Sequence, residues 1–295
     1  IPGSKCNSKN INFMAKHGRG LICLALTSKK VKKLNLPLMS SINKSRTQTA
    51  FTISIESKTG VTTGISAQDR AKTIKVAIKP NSNRNSIVSP GHVFPLVAKD
   101  GGVLERAGHT EASVDISKLA KLNPSAVICE VMNEDGTMSR YKDLIIFAKK
   151  HKLKIAKIED LISHRLRNEK LIKCISSKKI KIKKFGSFDL KTFKNKLDGS
   201  EHYSITKGKF NKNKPSRVRV ISTNVINSFF NFNKDVYKSS LKHLNKFNTF
   251  ALILIKGTNF NPTSSENNKI LRYYGIGAQI IKELRIKNMI LVSRT

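Results

Sequence analysis

Pro124-Ser-Ala-Val-Ile-Cys-Glu-Val-Met132 is a short apolar run, and Tyr141-Lys-Asp-Leu-Ile-Ile-Phe-Ala-Lys-Lys-His151 follows it after a polar turn. The first stretch predicts a buried strand and the second a helix, with residues 154–157 a further strand and 159–168 a further helix. Working back toward the start, residues 21–27 and 51–56 are short and apolar or alternating, which marks strands. Residues 66–78 predict a helix: Ser66 can cap it, Asp69 lies in the first turn, and Ile74, Ala77 and Ile78 form one stripe. Strands alternating with helices in this way imply an α/β or α+β domain. Beyond residue 169 the pattern repeats in kind: strands to about 222, a helix at 235–245, a strand at 251–256 and a helix at 277–284.

The chain has 295 residues, a length for about two domains. Its hydrophobic fraction of 39% is enough for real cores, which argues against wholesale disorder. The longest apolar runs, residues 21–26 and 250–255, fall far short of the ~20 residues of a membrane span, so no transmembrane helix is expected. The opening residues lack the apolar core of a secretory signal. The four cysteines (Cys6, Cys23, Cys129, Cys174) contain no C-x-x-C pair, which fits a reducing compartment and excludes a Cys-rich zinc site or a disulfide framework. A cytoplasmic location, or the interior of an organelle or endosymbiont, is expected. The first residue is Ile rather than Met, from which an N-terminally incomplete fragment is expected.

A net charge of +37 would ordinarily suggest a polyanion partner. However, 43 of the 56 basic residues are Lys and only 13 are Arg, the residue that forks onto phosphates and stacks on bases. Aromatics are 6% with no Trp, so no stacking platform for bases is evident. Lys, Asn and Ile all have AT-rich codons, and coding bias is the preferred reading over nucleic-acid binding. Residues 170–184, with their Ser and Lys run, read as a basic linker between a first domain at 1–169 and a second at 185–295. The alternative for Ile180 and Ile182 is an edge strand with Lys on its solvent face.

Polar chemistry gathers in three segments: Pro90-Gly-His-Val-Phe-Pro95, Gly101-Gly-Val-Leu-Glu-Arg-Ala-Gly-His-Thr-Glu111 and Cys129-Glu-Val-Met-Asn-Glu-Asp-Gly136. Arg106, Gly108, His109 and Thr110 look like an anion cradle, offering a charged fork, a hydroxyl and the N–H groups of a Gly-rich turn. His109 could ligate a metal as neutral imidazole. Glu130 lies within an apolar run, where burial would raise its pKa and suit it to proton transfer. Each has a plainer reading. Glu130 taken alone is more often a structural ion pair, residues 133–136 a simple turn, and His17, His151, His164, His202 and His243 surface or satisfied polar residues.

Taken together, these segments resemble the 3,4-dihydroxy-2-butanone 4-phosphate synthase family of riboflavin biosynthesis. The likeness runs through Thr59-Gly-Val-Thr-Thr-Gly-Ile-Ser-Ala-Gln-Asp-Arg-Ala71, residues 90–96, 101–115 and 126–138, with His17-Gly18 and Thr49-Ala-Phe-Thr52 upstream, and covers roughly residues 1–168. It implies a homodimeric α+β lyase that turns D-ribulose 5-phosphate into L-3,4-dihydroxy-2-butanone 4-phosphate and formate with Mg²⁺ (or Mn²⁺). It places the metal-ligand histidine on His109 and the substrate-binding run on Arg106, Ala107, Gly108, His109 and Thr110. Glu130 becomes a substrate-contacting catalytic residue and His92 a second catalytic one. Cys23 matches a cysteine often found near that site, although a plain buried strand residue is an equal reading. The family's acidic loop, which supplies a further metal carboxylate, precedes the segment where this chain begins; the first acidic residue here is Glu56. An incomplete metal site, with weak Mg²⁺ binding until that loop is restored, is therefore expected.

In the second half, Leu271-Arg-Tyr-Tyr-Gly-Ile-Gly-Ala-Gln-Ile280 and residues 287–291 resemble GTP cyclohydrolase II, as do residues 185–188, 198–199 and 218–220. Its active-site motifs are absent: Ser222-Thr223-Asn224 stands where the family has Ser-Glu-Cys, and no cysteine follows Cys174. The Arg-Gln-Glu-Gly-Arg-Gly motif is not recognisable at residues 256–265, and Ile270 replaces an acid although Arg272 remains. No zinc is expected, and without thiolates the activated water of that chemistry is lost. The expectation is thus a riboflavin-pathway lyase with a degenerate second domain. The alternative is a non-catalytic scaffold or regulatory paralogue.

Overall fold

Cys-Leu-Ala-Leu-Thr alternates its side chains between two faces, and both faces are covered. In the computed structural model, which describes residues 1–44, 47–224, 234–257 and 266–293, this run forms strand β1 (Cys23–Thr27). Leu24 and Leu26 point to one side, into a core with Ile55, Ile74, Ala77, Ile78 and Val127. Ala25 points to the other side, against Ala98 and Val114. Period-two alternation buried on both faces is the pattern of a central strand.

The chain divides into two units, Ile1–Leu161 and Ile162–Thr295. In the first, β1 lies between β3 (Ile87–Ala98) and β4 (Ser125–Ile128), with β2 (Ile55–Ser57) beyond β3, in the order β2-β3-β1-β4. β1 and β3 are parallel, and the other two pairings are antiparallel. Helices α1 (Ser8–Phe13) and α3 (Ala67–Ile78) supply the core facing Leu24, while α4 (His109–Leu119) supplies Val114 on the opposite face. Helix α2 (Ser28–Lys33) follows β1 directly, capped by the Thr27 hydroxyl. The α3 cap is as expected: the Asp69 N–H donates to Ser66 Oγ at 3.0 Å. The helix ends at Ile78, where Lys79 precedes Pro80 and takes an extended conformation. Helix α5 (Tyr141–His151) matches the expected span, and α6 runs from Ile158 to Asn168.

Two expectations in this region need correction. Residues 154–157 pair with no strand among the described residues; Ile155 is exposed, so the alternation has nothing to bury. The strand expected at 124–132 is only the four residues of β4, and the chain leaves the sheet before Glu130. Strand β3 and helix α4 were not read from the sequence, because Gly91 and the Pro residues interrupt β3 and α4 carries polar residues on its buried side.

In the second unit a six-stranded sheet has the order β10-β8-β9-β7-β6-β5. Its strands are β5 (Ile172–Ile182), β6 (Gly186–Asn195), β7 (Glu201–Lys207), β8 (Ser216–Asn224), β9 (Phe250–Gly257) and β10 (Met289–Leu291). Central β9 alternates again. Ala251, Ile253 and Ile255 meet Ile276 and Ile280 of α8 (Glu266–Glu283) and Leu284 just after it, whereas Phe250 and Leu252 meet Leu241 and Leu244 of α7 (Lys234–Leu244). The basic linker expected at 170–184 is therefore mostly strand β5, paired with β6 along its length. Its alternation was a strand signature: Ile180 and Ile182 pack inward while Lys178, Lys179 and Lys181 face water, as suits an edge strand. Helix α8 runs through Gly275 and Gly277 instead of starting there. A Cβ at Gly275 would press within 2.6 Å of Leu166, so that glycine serves close packing and not a helix boundary. No helix among the described residues is long and apolar enough to cross a membrane.

Candidate functional site

Glu130 stands two residues past the end of β4, in a loop braced by the chain entering β1. Helix α1 continues through a wide turn, Met14–Gly18, and Arg19 takes the left-handed conformation that redirects the chain. The Met132 N–H then donates to Gly18 O at 2.9 Å, and the Leu21 N–H donates to Glu130 Oε2 at 2.9 Å. The Glu130 carboxylate is thus exposed and aimed by a backbone donor, not buried in a strand as expected. Beside it, Cys23 is buried, and its thiol is pushed up to about 12 by burial first and then by Glu130 and Cys129. Burial also raises the Cys129 thiol. Both remain protonated near neutrality, which disfavours a nucleophilic role and suits the strand reading of Cys23.

His92 lies on β3 with its ring half-exposed, and its Nδ1 is 2.9 Å from Glu56 Oε1 on β2. His92 and Glu130 lie toward the same end of the sheet. Cys23 pairs with Phe94 on one side and Ile128 on the other, and His92 and Glu130 each stand two residues beyond those paired positions.

The Arg106 segment is at the other end. The Lys99 N–H, just past the last residue of β3, donates to Glu111 Oε1 at 3.1 Å, and Glu111 Oε2 takes a 2.6 Å bond from Arg106 Nη1. Arg106 Nη2 donates to Thr47 O and Thr49 Oγ1. The Glu111 side chain is only 1% exposed, so Arg106 acts first as the partner of a buried carboxylate. Nη1 and Nη2 of the expected anion fork are thus engaged within the chain, and the side chain stays partly exposed. At the start of α4, Gly108 is the N-cap and offers no side-chain cap to the first-turn N–H groups. His109 is the first residue of that helix and is exposed; Thr110 behind it is buried, and Ala107 is half-buried. Seven residues of extended chain separate His92 from Lys99, roughly 20 Å at ~3.3 Å per residue. Within one chain the expected residues form two clusters and not one, because β3 carries His92 near one end of the sheet and delivers Arg106 and His109 to the other.

Among the described residues, no three of His, Cys, Asp and Glu converge as a metal cage. Mg²⁺ keeps several waters and often takes only one or two protein ligands plus substrate oxygens. His109, exposed at a helix start, fits a sparsely held ion of that kind. In the second unit His202 is buried and satisfied, accepting from the Lys256 N–H at Nδ1 and meeting Ser200 Oγ at Nε2, as its plainer reading held. Residues 258–265, where the Arg-Gln-Glu-Gly-Arg-Gly motif was sought, lie outside the described residues, as do the side chains of Thr223, Asn224, Ile270 and Arg272. Sequence reasoning missed Gly20 and Glu56, and it gave no separate role to Glu111 at the end of the Gly101–Glu111 segment. The Gly18-Arg-Gly20 doublet just before β1 was the available signal for the first; nothing local marked Glu56.

Residues 1–164 match the family described as 3,4-dihydroxy-2-butanone 4-phosphate synthase, and residues 173–249 match GTP cyclohydrolase II. The chain is 42% identical to the riboflavin biosynthesis protein RibBA of Aquifex aeolicus, over 99% of this chain and 79% of that protein. It is 40% identical to the 3,4-dihydroxy-2-butanone 4-phosphate synthase of Photobacterium phosphoreum, over 99% of this chain and 85% of the relative. Among solved structures, the two-domain 3,4-dihydroxy-2-butanone 4-phosphate synthase RibBX of A. baumannii covers the whole chain and 85% of its own, with a TM-score of 0.84 and 36% identity. A 3,4-dihydroxy-2-butanone 4-phosphate synthase in complex with two magnesium ions matches 57% of this chain and 83% of its own, with a TM-score of 0.54 and 37% identity.

Proposed function

The chain belongs to the 3,4-dihydroxy-2-butanone 4-phosphate synthase family, and on that premise we propose that it converts D-ribulose 5-phosphate into L-3,4-dihydroxy-2-butanone 4-phosphate and formate. The observation that carries this reading is the aimed carboxylate: Glu130 is held at Oε2 by the Leu21 N–H, toward the end of the sheet where His92 also lies. Glu130 and His92 are the proton-handling pair, moving protons between carbon and oxygen as the sugar skeleton rearranges. The Leu21 N–H fixes one carboxylate oxygen and leaves the other for substrate. The open start of α4, with Gly108, His109 and Thr110, takes the substrate's phosphate through backbone N–H groups, and Arg106 keeps that turn in place through Glu111. His109 holds the divalent ion, which when bound supplies positive charge that stabilises an enediolate.

The enzyme works as a homodimer. Since one copy holds His109 and Glu130 at opposite ends of its sheet, a second copy offers the simplest way to bring the two clusters onto one substrate. The second unit, although similar to GTP cyclohydrolase II, carries no cyclohydrolase activity, as the missing thiolates after Cys174 suggest. The four free cysteines suit the cytoplasm or an organelle interior.

The test is formate release from ribulose 5-phosphate by the full-length protein with Mg²⁺ or Mn²⁺, with the four-carbon phosphate identified by mass. Stoichiometric formate is expected. Its absence with either ion would favour a non-catalytic scaffold.

A further inference from the structure

His92 is held by a device that reaches through three elements. Strand β2 pairs Ile55 with Val93 but Glu56 with Val88, so residues 89–92 form an excursion of β3 at this point. Ser54 clamps that excursion: its carbonyl accepts from Ser89 Oγ at 2.6 Å and its hydroxyl accepts from the Gly91 N–H at 3.1 Å. Gly91 has no Cβ to collide with the Ile55 carbonyl it rests on. The irregular register places the Glu56 carboxylate against the His92 ring, with Oε1 2.9 Å from Nδ1. The carboxylate side chain is 16% exposed and the ring 43%, so the acid is the more confined partner.

Glu56 is itself confined from outside. Gly64 lies directly over its carboxylate, so closely that a Cβ there would overlap it, and Gly64 holds a positive φ of 84°. The loop that carries Gly64 is tied down by Asp69, which is 5% exposed. Its carboxylate accepts from Thr62 Oγ1 at 2.8 Å, from the Gly64 N–H at 3.1 Å and from the Thr62 N–H at 3.3 Å. Asp69 is in turn fixed as a first-turn residue of α3.

We propose that Glu56 is a positioning residue for His92: it accepts the Nδ1 proton, selects that tautomer, and leaves Nε2 bare toward substrate, while the loop pinned by Asp69 keeps the carboxylate in place. In a neutral imidazole one nitrogen carries the proton and the other the lone pair, and an acceptor at Nδ1 decides which. Losing such an orienting carboxylate leaves the ring in the wrong tautomer, which in a histidine-centred site is worth up to ~10⁴ in kcat. The kinetic consequence rests on the proposed reaction; the tautomer assignment does not.

The experiment uses full-length protein labelled with ¹⁵N-histidine, with the His92 ring signals assigned through His92→Gln. Long-range ¹H–¹⁵N spectra should show the Nδ1–H tautomer in the wild type and its loss in Glu56→Leu. Glu56→Asp, which keeps the charge and shortens the chain by one methylene, should retain much of it and serves if the leucine variant does not fold. In turnover, Glu56→Leu should lower kcat by roughly 10²–10⁴ with KM changed only a few-fold, and Glu56→Asp should recover part of the loss. A purely structural role would lower the melting temperature and leave the tautomer alone. An Nε2–H tautomer in the wild type, or an unchanged tautomer in a folded Glu56→Leu, overturns the proposal. Should the wild type release no formate while Glu56→Leu still shifts the tautomer, the assigned reaction fails and the positioning role of Glu56 stands.

Discussion

A Cβ added to Gly20 would lie 2.7 Å from both the carbonyl oxygen and the Oε2 of Glu130. Gly20 is thus the surface on which the Glu130 loop rests, and the adjacent Leu21 N–H is the donor that aims the carboxylate. Gly20→Ala must push the Glu130 loop outward. We expect it to lower kcat by about 10²-fold, the scale of one general acid–base group, with the fold retained by circular dichroism. Glu130→Gln should fall at least as far, and wild-type turnover by either variant would contradict the assignment of Glu130.

The separation of His109 from Glu130 within one chain predicts complementation. His109→Ala and Glu130→Gln should each be inactive alone, with thermal stability close to wild type. Unfolded and refolded together, they should regain activity toward about a quarter of wild type, since half the dimers are mixed and each mixed dimer has one intact site. No recovery in mixed dimers would place both residues in one chain's site.

Arg106 is expected to matter for stability as well as binding. Its removal strands the Glu111 carboxylate, which is 1% exposed and is left with the Lys99 N–H on Oε1. Breaking a buried pair by deleting one partner costs about 3–5 kcal/mol; with Arg106 itself partly exposed, about 2–3 kcal/mol is expected for Arg106→Ala by urea unfolding. The double variant Arg106→Leu/Glu111→Leu should be more stable than Arg106→Ala.

Asp69 gives the first unit an acid-sensitive contact. The Thr62 hydroxyl, with help from the Thr62 and Gly64 N–H groups, holds its carboxyl below the ordinary 3.8 against an opposing effect of burial. A carboxylate whose pKa is depressed by folding stabilises fully above the unfolded value and loses that contribution as pH falls through the folded value. The melting temperature of the wild type should therefore exceed that of Asp69→Asn at neutral pH, and the gap should close on titration below 3.8. A gap constant across that range would count against the bonding described.

For the second unit, incubation of the full-length protein with GTP and Zn²⁺ or Mg²⁺ should yield neither formate nor a ring-opened pyrimidine. Detectable opening of the imidazole ring would show that a thiolate-free site can still carry that chemistry.

Periodicity alone was enough for a mixed helix-and-strand class, for α3 with its Ser66 cap and for the span of α5, because apolar spacing and capping are local properties. The match of Arg106, Gly108, His109, Thr110 and Glu130 to a family pattern was equally legible, since it depends on residue order. What the chain order could not convey was where those residues meet. Residues 129–130 look like the inside of a strand until β4 is seen to stop at Ile128. That Arg106 also partners a buried carboxylate appears only when Glu111 is found against it. Glu56, thirty-six positions from His92, becomes its partner only through the irregular register of β2 on β3. Pairing across strands is decided by which side chains can be buried and which donors satisfied in three dimensions. Neither condition is written in the spacing of residues along the chain.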